Sequence, residues 1–216
     1  MFRPARLVTL AALGLLVYMT FFATPTGAHG AGGFDPEELA NRQVAVWQSI
    51  KAKEEFSLYV NTVRMLREEH RYTWYKAAVA GWYLSRALFE FSGLQTRFER
   101  VLPDLEAAAT IERDWHQAKF DPALAARAQL TWWATGKMAN LNSLDNVGPL
   151  AAQDLALRYQ VSTERMMTAA MLLAQATELR DTPTVDPNWR DITRVLLESD
   201  KALHNVLTQT RARALR

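Results

Sequence analysis

Apolar residues recur at alternating steps of three and four along most of this chain, the spacing of a single buried helix face. The clearest run is Val63, Leu66, His70, Thr73, Ala77, Ala80, Leu84, Ala87, Phe91, Leu94, Phe98 and Val101. Its small members allow a neighbouring helix to approach closely. Upstream, between Ala40 and Phe56, the stripe thins to Val44, Trp47 and Ile50 among charged and amide residues. A start signal precedes it in Phe34-Asp35-Pro36. Asp35 can cap free amides, Pro36 suits the first helical position, and Phe34 can pack across the cap on Leu39. No proline follows before Pro103. The pattern therefore predicts one very long helix over 34–102, roughly 100 Å from end to end. Gly81 and the Ser92-Gly93 pair are its expected kinks.

Beyond Pro103 the periods shorten. A helix from Asp104 to Lys119 carries Leu105, Ile111 and Trp115, and Asp121-Pro122 repeats the cap-and-proline start. The helix it opens holds Leu130, Trp132 and Trp133 and fades near Asn140, before a loop from Asn142 to Pro149. Residues 103–148 thus read as a small inserted helical hairpin. Over 149–216 the stripe returns as Ala152, Leu155, Tyr159, Ser162, Met166, Ala169, Leu173 and Ala176, a helix from Pro149 to about Arg180. Asp181-Thr182-Pro183 breaks it, and Asp186-Pro187 opens a last helix through Trp189, Ile192, Leu196 and Leu203. No strand pattern is visible. The expected class is all-α: an elongated antiparallel bundle with one very long N-terminal helix, an inserted helical hairpin and a returning helical pair.

The first 28 residues change where such a bundle works. Arg3 and Arg6 precede an apolar run from Leu7 to Ala23, and Thr26-Gly27-Ala28 offers small residues for cleavage. This reads as a secretory signal over 1–28, with an uncleaved inner-membrane anchor as the alternative, followed by a flexible lead over 29–33. The expected location is the periplasm or beyond. The segment takes two of the 25 Lys and Arg, leaving 23 against 23 Asp and Glu. A near-neutral body gives no reason to expect nucleic acid as a partner. With no cysteine in the chain, neither a disulfide nor a lipid-modified cysteine is available.

Reacting groups are hard to find. The four histidines, His29, His70, His116 and His204, fall in different segments, and no His-Glu-x-x-His motif occurs. Glu112 and His116, four apart, read as an exposed helix contact. Glu68 and Glu69 among Arg64, Arg67 and Arg71 read as a solvated face of ion pairs. His70 lies on the apolar seam, where it either fixes register or senses pH. Met166, Met167 and Met171 read as gap-filling core. There is no nucleophile elbow and no phosphate loop, so no catalytic residue, metal ligand or cofactor is expected.

The seven tryptophans are the surplus. Trp132 and Trp133 diverge by about 100° on a helix, so both cannot easily face one core. Trp47, Trp132 and Trp133 are therefore the candidate partner anchors. A binder of a hydrophobic ligand among Trp74, Trp82 and Tyr83 is the alternative reading.

The layout resembles the periplasmic TrbJ-type minor-pilus components of conjugative type IV secretion systems. The similarity rests on the signal segment, on Phe34-Asp35-Pro36 opening a long helix, and on the run from Phe91 to Pro103 that precedes a small module. That resemblance implies a non-enzymatic assembly role in the cell envelope, with secretion-system proteins or further copies of the chain as partners. Membrane contact would come only through an uncleaved N-terminal segment.

Overall fold

The Asp35 cap forms as its sequence implies. In the computed structural model, which describes residues 14, 15, 18, 21, 22, 32–138, 140–182 and 187–214, the Asp35 carboxylate accepts from the amides of Glu37 and Glu38 at 2.8 and 3.4 Å. Pro36 then opens helix α1, Pro36–Ala52. Seven further helices follow among the described residues: α2 Glu55–His70, α3 Trp74–Gly93, α4 Leu102–His116, α5 Pro122–Lys137, α6 Leu144–Tyr159, α7 Thr163–Asp181 and α8 Trp189–Ala214. A short 3-10 turn, Phe98–Val101, leads into α4. None of the described residues is in a strand, and no described helix is long and apolar enough to cross a membrane. The signal segment and the Asp186 cap lie mostly or wholly outside the described residues.

The very long N-terminal helix does not form. Lys53 and Arg71 adopt left-handed backbone, with φ of 58° and 56°, and cut the predicted rod into α1, α2 and α3. Gln160, at φ 54°, cuts the predicted return helix into α6 and α7, and Gln117 ends α4 in the same way. Three of these ends carry the long bond of a Schellman cap, in which the residue after the left-handed one donates five residues back. Glu54 bonds the Ser49 carbonyl at 3.0 Å, Ala118 that of Arg113 at 3.0 Å, and Val161 that of Ala156 at 3.1 Å. Gly81, an expected kink, lies inside α3 and serves close packing instead. A Cβ there would stand 2.6 Å from Val63 Cγ2.

Three of the seven connectors, 53–54, 71–73 and 160–162, have only two or three residues, and such short links turn a helix back along the one before it. Side-chain bonds across the turns show the reversal: Asp35 N–H reaches Glu68 at 2.9 Å, while Asn61 reaches Ser49 at 3.0 Å near the turn. Every helix packs on its predecessor and its successor, and α1 also packs on α8, closing the circuit. The segment over 103–148 is therefore no insertion; α4 and α5 are consecutive members of the same series. Its loop is also shorter than predicted, because α6 begins at Leu144 and carries Pro149 inside it. At that position proline removes only one backbone bond, near the helix start.

Apolar cores fill the seams between neighbours. Phe34, Leu39, Met166, Leu203 and Leu207 join α1, α7 and α8, and Phe91, Val101, Leu105 and Leu130 join α3, α4 and α5. Where α3 ends, Lys137 of α5 donates to the carbonyls of Phe91, Ser92 and Leu94 at 2.6, 3.0 and 3.0 Å. A cation on the negative end of a helix dipole is favourable, and here it adds a donor to three carbonyls at that end.

Candidate functional site

Helices α2, α4 and α6 each end in a ring-bearing residue just before its left-handed cap: His70, His116 and Tyr159. His70 and Tyr159 line a cavity of about 160 Å³, and His116 touches its edge through His70. Residues of α2 through α7 contribute to its wall, with Leu66, Leu84 and Leu155 on the apolar side. His70 Nδ1 and His116 Nε2 are 3.2 Å apart, so one ring must donate and the other accept. His70 also stacks on Tyr72 at 4.9 Å, and Glu69 lies 3.6 Å from its second nitrogen. Trp115 fixes this corner by donating its indole N–H to the His70 carbonyl at 2.9 Å.

Across the cavity Arg158 is held on every side. It bonds Asp154 at 2.8 Å, Gln129 at 2.7 Å and the carboxylate of Glu112. Asp154 in turn accepts from the Trp132 indole at 3.1 Å. Burial opposes the guanidinium charge, but Asp154 and Glu112 outweigh it and hold the proton more firmly than usual. Burial likewise pushes Glu112 up, yet Arg158, then His70 and His116, bring its carboxyl below the ordinary value. Asp154 ends above its ordinary value, because burial and the nearby Glu112 charge exceed what Arg158 and Trp132 return. Burial, then neighbouring carboxylates, raise both Tyr72 and Tyr159 well above a usual phenol, so each stays a neutral donor. The Tyr159 hydroxyl donates a hydrogen bond to Glu69 at 3.0 Å.

The expected candidates are redistributed. His70 is buried at the cavity and shares a hydrogen bond, which gives the seam histidine a specific partner. Trp132 is half-buried and lines the same cavity, Trp133 packs on Phe91, and Trp47 lies under Arg180 at 4.7 Å. None of the three turns its ring fully to solvent; within the helical body the most exposed aromatic rings are those of Phe56, Tyr75 and Trp82. Glu112 and His116 are not an exposed pair, since Glu112 is buried against Arg158. Glu68 and Glu69 are not partners of the α2 arginines either. Glu68 caps Asp35 and Glu69 faces Tyr159.

No family model, no curated protein and no solved structure matches this chain. The site must be read from its own chemistry. Among the described residues no group of three or more histidines and carboxylates is arranged to hold a metal ion. Instead, three carboxylates (Glu69, Glu112, Asp154) face one guanidinium, with two imidazoles sharing a hydrogen bond and two neutral phenols. Sequence reasoning passed over Asp154 and Arg158, and placed Tyr159 only on the apolar stripe. The signal was there in Asp154 and Arg158, the two charged residues, four apart, of the largely apolar stretch Pro149-Leu-Ala-Ala-Gln-Asp-Leu-Ala-Leu-Arg-Tyr159.

Proposed function

We propose that this chain is a non-enzymatic holder of a small cationic or proton-donating solute, working in the cell envelope to which its N-terminal segment directs it. The observation that carries the reading is the excess of carboxylate over guanidinium inside a shielded cavity walled by Tyr72, Trp132 and Tyr159. A protonated amine there gains a charge-assisted bond from Glu69, which so far accepts from the neutral Tyr159 hydroxyl, and ring faces that favour cations. A volume of about 160 Å³ equals on the order of five waters, which suits a compact solute. No serine, threonine or lysine lines the cavity, and its guanidinium is already engaged by carboxylates, which favours holding over turnover.

Native mass spectrometry of protein recovered from its own envelope should show an added small mass that acid releases. Short alkylamines should raise the unfolding temperature of the wild type. Glu69→Gln should weaken that effect about tenfold or more, the worth of one charge-assisted bond. A bare mass together with indifference to amines sinks the reading.

An assembly role of the minor-pilus kind is the second reading. It leaned on a projecting rod, and three short helices stand where that rod was expected. What still favours it is the exposed aromatic group on α2 and α3.

A further inference from the structure

The outward face of the α2–α3 hairpin has a composition unlike the rest of the surface. Down α2 it reads Phe56, Val60, Arg64, Arg67 and Arg71, one face at helical spacing. Along α3 it reads Tyr75, Val79 and Trp82, with Trp74 at the turn. Phe56 is 79% exposed, Tyr75 57% and Trp82 55%, so these rings face solvent outright. The three arginines make no ion pair with any described carboxylate; Arg67 instead lies 3.9 Å from the Trp74 ring centre. Together with Arg42 they line an open cleft of about 290 Å³ whose two acids are already occupied. Glu38 pairs with Arg42, and Glu68 accepts the Asp35 amide. Burial and then Arg71 hold the Arg67 guanidinium below its usual value, with Glu68 acting the other way.

A second, independent observation says what lies over this face. The apolar N-terminal run reaches it: Phe22 packs on Tyr75, ring centroids 5.4 Å apart, and Tyr18 stacks on Phe22 at 5.8 Å. The segment of this chain most suited to lipid therefore ends on the same aromatic face. Unpaired arginines beside exposed tryptophan and tyrosine are the composition of a surface that rests in a lipid headgroup layer.

We propose that this face docks on a bilayer, taking the phosphate of an anionic phospholipid between Arg64, Arg67 and Arg71 while Phe56, Tyr75 and Trp82 enter the headgroup boundary. The planar guanidinium forks match phosphate oxygens, and each basic residue near such a surface contributes about 1 kcal/mol, close to fivefold in affinity. The docked orientation leaves α6 and α7, opposite α2 and α3 in the circuit, turned from the membrane.

The test uses the full chain as recovered from producing cells, with vesicles of phosphatidylcholine alone or with phosphatidylglycerol added. Binding should favour the anionic vesicles and weaken as salt rises. Arg64→Gln, Arg67→Gln and Arg71→Gln should each reduce the anionic preference about fivefold, and the combined variant should abolish both the preference and the salt dependence. Brominated lipids should quench tryptophan fluorescence, and Trp74→Phe with Trp82→Phe should remove most of the quenching. None of these side chains is buried in the core, so far-ultraviolet circular dichroism should remain that of the wild type. Unchanged lipid preference in the combined arginine variant overturns the proposal, whatever the N-terminal segment contributes by itself. Binding of inorganic phosphate in the cleft without vesicle binding also overturns it, in favour of a free anion. So does cross-linking from position 82 to a protein while lipid leaves the tryptophans unquenched.

Discussion

Two buried polar groups sit within reach of Glu69, and they are built to different standards. On one side, every polar contact around Arg158 is made, with Asp154, Glu112, Gln129 and Trp132 each supplying a bond. On the other side, Asp200 of α8 is equally buried but receives one long bond, 3.4 Å from Gln43. Among the described residues Asp200 Oδ2 and Gln43 Oε1 have no hydrogen-bond partner. Burial, then the Glu69 charge, push Asp200 well above its ordinary value. The difference teaches that burial alone does not make a polar group structural. A satisfied cluster locks helices together, whereas a half-satisfied one lowers stability.

The largest effect comes from breaking the satisfied cluster. Arg158→Met leaves Glu112 and Asp154 buried without a counter-charge and should lower stability by about 3–5 kcal/mol at neutral pH. The loss should shrink on acidification, because the stranded carboxylates then take up protons. In the wild type the sign at Glu112 is opposite. Its folded value lies below the ordinary 4.5, so the stability it contributes is present above that value and is lost as pH falls through the folded one. Denaturant midpoints of both proteins across the acid range test this. Parallel curves would mean that Arg158 is not what holds Glu112 ionised.

Repairing the poor cluster should do the reverse. Asp200→Asn supplies an N–H that can reach Gln43 Oε1 and removes a charge that burial disfavours. We expect a gain of about 1–2 kcal/mol at neutral pH. The folded value of Asp200 is raised, so the native state holds its proton more tightly. Wild-type stability therefore falls as pH climbs from the ordinary 3.8 through the folded value, and the two proteins should converge below that ordinary value. Loss of stability in the variant would show that Asp200 is ionised and paired in solution. A gain in stability that also abolishes the response to amines would place Asp200 in the site itself.

The contrast between stripe and rod explains how much could be read beforehand. The seam from Val63 to Val101 is right almost residue by residue: Val63, Leu66, His70, Thr73, Ala77, Ala80, Ala87, Phe91 and Val101 are all buried. The all-helical class and the Asp35 and Asp121 caps were equally legible. A periodic stripe, however, specifies which face is covered and not which neighbour covers it. The same alternation serves one long helix or two short ones folded at a turn, provided the turn keeps the phase. The cavity could not be read for a related reason. Its charges come one or two at a time from separate helices, and they meet only once the circuit is closed.

The turns themselves give the smallest and most general test. Arg71-Tyr72-Thr73 and Gln160-Val161-Ser162 share one design: a left-handed polar residue, a residue that covers the helix end, then a capping position for the next helix. Thr73 fulfils its part by accepting from the Lys76 amide at 3.1 Å. No glycine marks these sites, and that is why they were passed over. A left-handed non-glycine residue carries strain of roughly 1 kcal/mol, which glycine avoids. Gln160→Gly should therefore raise stability by about 0.5–1 kcal/mol, although the same change inside a helix lowers it by a similar amount. Ala156→Gly, one turn earlier, is the matched control. If both variants lose stability equally, then the chain runs through Gln160 as continuous helix, and the long return helix that the stripe first suggested is restored.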